Sequence, residues 1–124
     1  MHPIRSLVIG SVVLTGCIAA APAEVAPDPA VAAKIRQLSG GNVCSDRIAG
    51  VLTAHRIGAD MITGLDQPPV GSGSGRGRST NRAAQRQAWL KLAGGGAIVV
   101  QYEPSGCRIA AAYARDGAVL PAAG

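Results

Sequence analysis

Ala97-Ile98-Val99-Val100-Gln101-Tyr102-Glu103-Pro104-Ser105-Gly106-Cys107-Arg108-Ile109-Ala110-Ala111-Ala112-Tyr113-Ala114 decides the fold of this chain. Ala97 to Glu103 is β-branched and aromatic, Pro104-Ser105-Gly106 is a turn, and Cys107 to Ala114 alternates again, which together predict an antiparallel β-hairpin. Because side chains on a strand alternate between faces, Ile98, Val100 and Tyr102 are expected on the inner face opposite Cys107, Ile109, Ala111 and Tyr113. Gln101 and Arg108 then point the other way.

Working back from the hairpin, Gly94-Gly95-Gly96 ends a segment, Asn81 to Ala93, that two patterns describe. Ala83, Ala84, Gln85, Arg86, Gln87 and Leu90 favour a helix by propensity, and that reading leads, whereas Ala88 to Ala93 also alternates as a strand does. The strand reading would make a three-stranded meander. Further upstream, residues 67–79 are a Gly/Ser/Arg-rich loop, and Asp60 to Leu65, ended by Pro68-Pro69, is too short to assign to strand or irregular chain.

Two helices precede these segments. Asp28-Pro29 is an N-cap followed by proline at the first helical position, Val31, Ile35 and Leu38 share a face, and Gly40-Gly41 stops the turn. A second helix runs from Ser45 as N-cap, with Ile48, Val51, Leu52 and His55 on one face and Gly58 as its stop. The expected class is α+β: two N-terminal helices and a C-terminal antiparallel β-hairpin or three-stranded meander, in one domain over residues 28–120. The ααβββ order resembles the small lipoproteins of the outer-membrane assembly machinery, in topology and without their sequence motif, and a shared fold implies no shared function.

The start of the chain states a destination. Met1 to Arg5 carries one positive charge, Leu7 to Leu14 is apolar, and Leu14-Thr15-Gly16-Cys17 resembles the lipobox of bacterial lipoprotein signal peptides. That resemblance implies removal of residues 1–16, acylation of Cys17 by chains such as palmitate, and a lipidated tether over residues 17–27. Ile18, in place of the aspartate that the enteric family uses for inner-membrane retention, implies an outer-membrane lipoprotein facing the periplasm. Ala21-Pro22-Ala23 offers a second cleavage site, which would remove 1–23 and leave a soluble periplasmic or secreted protein. The run from Ser6 to Ala21 is interrupted by Gly10, Ser11, Thr15 and Gly16, which argues against a permanent span needing roughly 20 apolar residues.

Of three cysteines, Cys44 and Cys107 belong to the folded part, and in an oxidising compartment they are expected to form a disulfide. The competing reading is a reactive thiol at Cys44, whose pKa the start of the second helix would depress. The core is modest: the chain has no Phe, and its aromatics are Trp89, Tyr102 and Tyr113. Trp89, beside Lys91, belongs to the core or to a partner surface, with the core reading ahead.

The net charge is +5, and Arg76, Arg78, Arg82, Arg86 and Lys91 have no acidic residue between Asp66 and Glu103. In a cytosolic protein such a stripe would suggest nucleic acid; in an exported one it suggests anionic lipid or an envelope polymer at Arg76, Arg78, Arg82 and Arg86, against the plain reading of solvated linker. No catalytic, cofactor or metal motif is read. Gly71, Gly73, Gly75 and Gly77 lie in a loop without lysine, and Arg76, Arg78 and Thr80 occupy the third-glycine positions of a dinucleotide fingerprint. His55 is the sole histidine after the leader, and the carboxylates are scattered among caps and turns. The expected function is a non-catalytic envelope lipoprotein binding or supporting an envelope protein. An inhibitor or immunity-type protein, using the Glu103 to Cys107 turn to occlude an enzyme cleft, is the alternative.

Overall fold

A computed structural model describes residues 22–68 and 85–124. Helix α1 spans Pro29–Ser39, with Asp28 at the N-cap and Pro29 opening the first turn, and it buries Val31, Ala32 and Ile35. It ends where Gly40 turns left-handed at φ 72° and the Gly41 N–H reaches back to the Arg36 carbonyl at 3.0 Å.

Helix α2 spans Ser45–Ala54. Cys44, not Ser45, holds its N-cap position; the Ser45 hydroxyl instead donates to the Asn42 carbonyl at 2.6 Å. Its end also differs from expectation. His55 is the C-cap, Arg56 takes φ 60°, Arg56 N–H bonds the Thr53 carbonyl at 3.0 Å and Ile57 N–H bonds the Leu52 carbonyl at 2.9 Å. This is a Schellman ending with arginine in the place where glycine is usual, and it folds Ile57 back beside Leu52 in the core. Gly58 therefore opens the next element, a 3₁₀ turn at Ala59–Met61, rather than closing α2.

Four strands follow: β1 Ile62–Asp66, β2 Arg86–Leu92, β3 Ala97–Tyr102 and β4 Ile109–Arg115. They form one antiparallel sheet in the order β1-β2-β3-β4. The class is α+β as read, with four strands instead of three: Asp60 to Leu65, left unassigned in sequence, supplies most of β1. The helix favoured over Asn81 to Ala93 is replaced by β2 over its described part. Ala88 and Leu90 alternate inward while Gln87, Trp89 and Lys91 alternate outward, and pairing to strands on both sides outweighs the intrinsic helix preference.

The hairpin forms as expected, but one residue in it changes which side chains are buried. Tyr102 pairs with Ile109, yet Gln101 pairs with Ala111, so Ala110 is an extra residue in β4. A one-residue slip moves every later side chain to the opposite face. Ala112 and Ala114 consequently turn to the core beside Val100 and Ile98, and Ala111 and Tyr113, expected inside, lie on the outer face with Gln101 and Val99.

The helices cover one side of the sheet. Val31, Ile35, Ile48, Val51, Leu52 and Ile57 meet Ile62, Leu90, Ile98, Val100, Tyr102 and Ile109 in a single core. The Cys44–Cys107 disulfide, 63 residues apart in sequence, ties the start of α2 to the hairpin turn. Both ends of the described chain dock on α2. Within the stretch read as tether, Glu24 pairs with Arg47 at 2.6 and 2.9 Å and Val25 N–H reaches the Gly50 carbonyl at 3.4 Å. At the other end, His55 Nδ1 lies 2.6 Å from the Pro121 carbonyl and Gly124 N–H bonds the Ala54 carbonyl.

Candidate functional site

The outer face of the sheet is organised in cross-strand rows. Asp66, Trp89, Val99 and Tyr113 stand in register on β1 to β4; the next row is Gly64, Lys91, Ala97 and Arg115; on the other side lie Gln87, Gln101 and Ala111. Among the described residues no helix or strand packs over these rows. Val99 is nevertheless 0 % exposed and lies outside the helix-side core, because the half-buried rings of Trp89 and Tyr113 flank it in register.

Polar contacts fix these rings. The Arg115 guanidinium carbon sits 5.1 Å from the centroid of the Trp89 ring, within the range of a cation–π contact. Trp89 Nε1–H donates to Gln87 Oε1 at 2.9 Å, and Gln101 Nε2–H donates to the Tyr113 hydroxyl at 3.3 Å. Lys91 Nζ pairs with Asp66 at 3.0 Å, both side chains being exposed, so this ion pair is worth at most about 1 kcal/mol and serves mainly to order the rim. Arg115 has no carboxylate partner among the described residues, and these include all seven acidic residues of the chain. The face is thus a small platform of two oriented rings over an apolar floor, with a cation on one ring.

Trp89 and Lys91 fall together on this platform, and the core reading of Trp89 is corrected by its outward position. Tyr113, which the hairpin pattern without its bulge puts inside, joins them on the outer face, as does Arg115, which no sequence pattern marks. Of the basic stripe, Arg86 lies at the other end of β2, cross-strand from Tyr102 at a cleft on the helix side, and Arg76, Arg78 and Arg82 lie outside the described residues, as does Cys17. The bonded state of Cys44 removes the reactive-thiol reading. His55 is engaged with the C-terminal tail, and the two cysteines among the described residues are bonded to each other.

Other charged groups act locally. Glu103 and Arg108 are bonded across the hairpin turn; the hydrogen bond from Arg108 holds the Glu103 carboxyl below its ordinary range and raises the Arg108 guanidinium. Glu24 raises Arg47 in the same way. Among the described residues no group of His, Cys, Asp and Glu is arranged to hold a metal, and no helix is long and apolar enough to cross a membrane. Compared with models of known families, with curated proteins and with solved structures, the chain matches none.

Proposed function

We propose that this chain is a non-catalytic envelope lipoprotein, held to a membrane by acyl groups on Cys17, whose domain binds an envelope protein through the outer face of its sheet. The observation that carries the reading is the row Trp89, Val99, Tyr113 with Arg115 laid on the indole. Trp, Tyr and Arg are the residues in which binding energy at protein interfaces concentrates, and here rings and guanidinium are ordered before any partner arrives, which lowers the entropic cost of association. The disulfide supports export, because such bonds persist outside the cytosol. The unpaired cation of Arg115 favours a partner with a carboxylate at the contact's edge.

The test is site-specific photocrosslinking in cells, with the probe at Lys91, at Gln101 or, as a control on exposed α1, at Gln37. A discrete adduct from the two sheet positions, absent from Gln37 and lost with Trp89→Ala, supports the reading. Equal adducts from all three positions, or none, defeat it. Intact mass of the protein from the membrane fraction tests the anchor, since Cys17→Ser abolishes a lipid adduct and releases the protein to the soluble fraction.

A second reading has its own observation. Ser105 and Gly106 are exposed at the tip of a turn held by the disulfide at Cys107, by the Glu103 and Arg108 pair, and by hydrogen bonds between Glu103 and both Cys107 and Arg108. A tip so constrained suits insertion into an enzyme cleft, as an inhibitor would use it. Crosslinks from Ser105 in place of Lys91 would favour it.

A further inference from the structure

On the helix side, a cleft of about 300 Å³ opens between the α1–α2 turn and the end of the sheet where Arg86 and Tyr102 pair. Tyr102 is 1 % exposed, and its hydroxyl lies in this cleft. The hydroxyl accepts a hydrogen bond from Asn42 Nδ2 at 2.7 Å. Asn42 cannot be turned round, because its Oδ1 already accepts the Cys44 N–H at 2.8 Å. The nearest acceptor for the phenol's own proton is Gln67 Oε1 at 3.5 Å, at the outer limit of a hydrogen bond, and Asn42 Nδ2 already donates to that oxygen at 3.0 Å. The phenol proton therefore makes only this long contact to Gln67, which a stronger acceptor entering the cleft can replace.

Arg86 supplies a charge beside it. Its exposed guanidinium lines the cleft, and no carboxylate lies within 4.0 Å of it, although all seven acidic residues of the chain are described. Gly40 and Gly41 form the opposite lip, both at positive φ, with open space where a Cβ would stand, so backbone and ligand can approach closely.

We infer that this cleft binds a phosphate group, with Arg86 as the charge partner and the Tyr102 hydroxyl, oriented by Asn42, as the directional donor. The phosphate is that of a small soluble ligand or of a lipid headgroup, and the site is independent of the sheet face proposed above. Arginine matches phosphate oxygens in a two-pronged geometry, and charge-assisted hydrogen bonds of this kind are the strong ones.

The full mature protein is titrated with inorganic phosphate at constant ionic strength, chloride replacing phosphate, and followed by amide NMR. Saturable shifts confined to Gly40, Gly41 and the Asn42 side chain are expected. Arg86→Gln weakens binding about tenfold and Tyr102→Phe several-fold, while Arg56→Gln, of equal charge change at the far end of α2, leaves it unaltered. Arg86 is exposed and Tyr102→Phe removes only a hydroxyl, so both variants keep the core packing, and dispersed spectra verify the fold. A short-chain phosphatidic acid below its micelle concentration is the second arm: tighter binding than inorganic phosphate assigns a headgroup, equal binding a soluble ligand. Shifts spread over all basic residues, equal losses in Arg86→Gln and Arg56→Gln, or tighter binding of acetate than of phosphate would each overturn the inference.

Discussion

Removing the Cys44–Cys107 bond isolates a single energetic contribution. In the chain-entropy model a cross-link stabilises by restricting the unfolded chain, and a separation of 63 residues corresponds to about 4 kcal/mol at 25 °C. Cys44 is fully buried, so replacing it with alanine adds a packing loss of about 1 kcal/mol. For a domain of this size each kcal/mol lowers the melting temperature by roughly 4–8 °C, so Cys44→Ala/Cys107→Ala, losing about 5 kcal/mol in all, is expected to melt roughly 20–40 °C below the parent. With a urea slope of roughly 1–2 kcal/mol/M, the midpoint falls by about 2.5–5 M. The slope itself should rise, because the unbridged unfolded chain exposes more surface. Circular dichroism during thermal and urea unfolding, on the oxidised protein, the reduced protein and the double variant, reads all three quantities. Reduced protein and double variant should agree within about 1 kcal/mol, since cross-link loss dominates both. A double variant melting within about 5 °C of the parent, with the same urea slope, refutes the reasoning: the loop would then be restrained in the unfolded state by something other than the bond.

Gly96→Ala should cost about 2–4 kcal/mol, because φ is +73° and a Cβ there would lie 2.5 Å from the Ala118 nitrogen and 2.7 Å from the Arg115 carbonyl, whereas Gly94→Ala, facing open space, should be near neutral in the same urea titration. Arg56→Gly is expected to stabilise by about 0.5–1 kcal/mol, by relieving left-handed strain at the end of α2; a lower midpoint would show that its side-chain contacts matter more. For Glu103 the folded pKa is depressed, so its bond with Arg108 contributes stability above the unfolded carboxyl pKa, and this is lost as pH falls through the folded value. The stability gap between parent and Glu103→Gln should therefore be present at neutral pH and close in acid, with its opening on acidification as the contrary result.

Much of the architecture was legible in local pattern. Proline after Asp28, paired glycines after Ser39, the β-branched run at Ala97 to Tyr102 and the turn at Pro104 to Gly106 act over a few residues, so their consequences hold in isolation. The pairing of Cys44 with Cys107 was legible by counting. The strand at Arg86–Leu92 was not, because its composition favours a helix and hydrogen bonds from β1 and β3 decide the matter. Nor was the strand at Ile62–Asp66, five residues long with a glycine and an irregular register at its centre.

What the amino-acid sequence determined alone is therefore the α+β class, the start and stop of α1, the position of the hairpin turn, and the bond that joins that turn to α2. What tertiary structure alone decided is the composition of the two faces. One extra residue at Ala110 moves Tyr113 out of the core and sets it in line with Val99 and Trp89, and Arg115 reaches that indole from two strands away. The reason is geometric: strand alternation has a period of two, a bulge reverses its phase, and phase relative to the helices exists only once the sheet has paired.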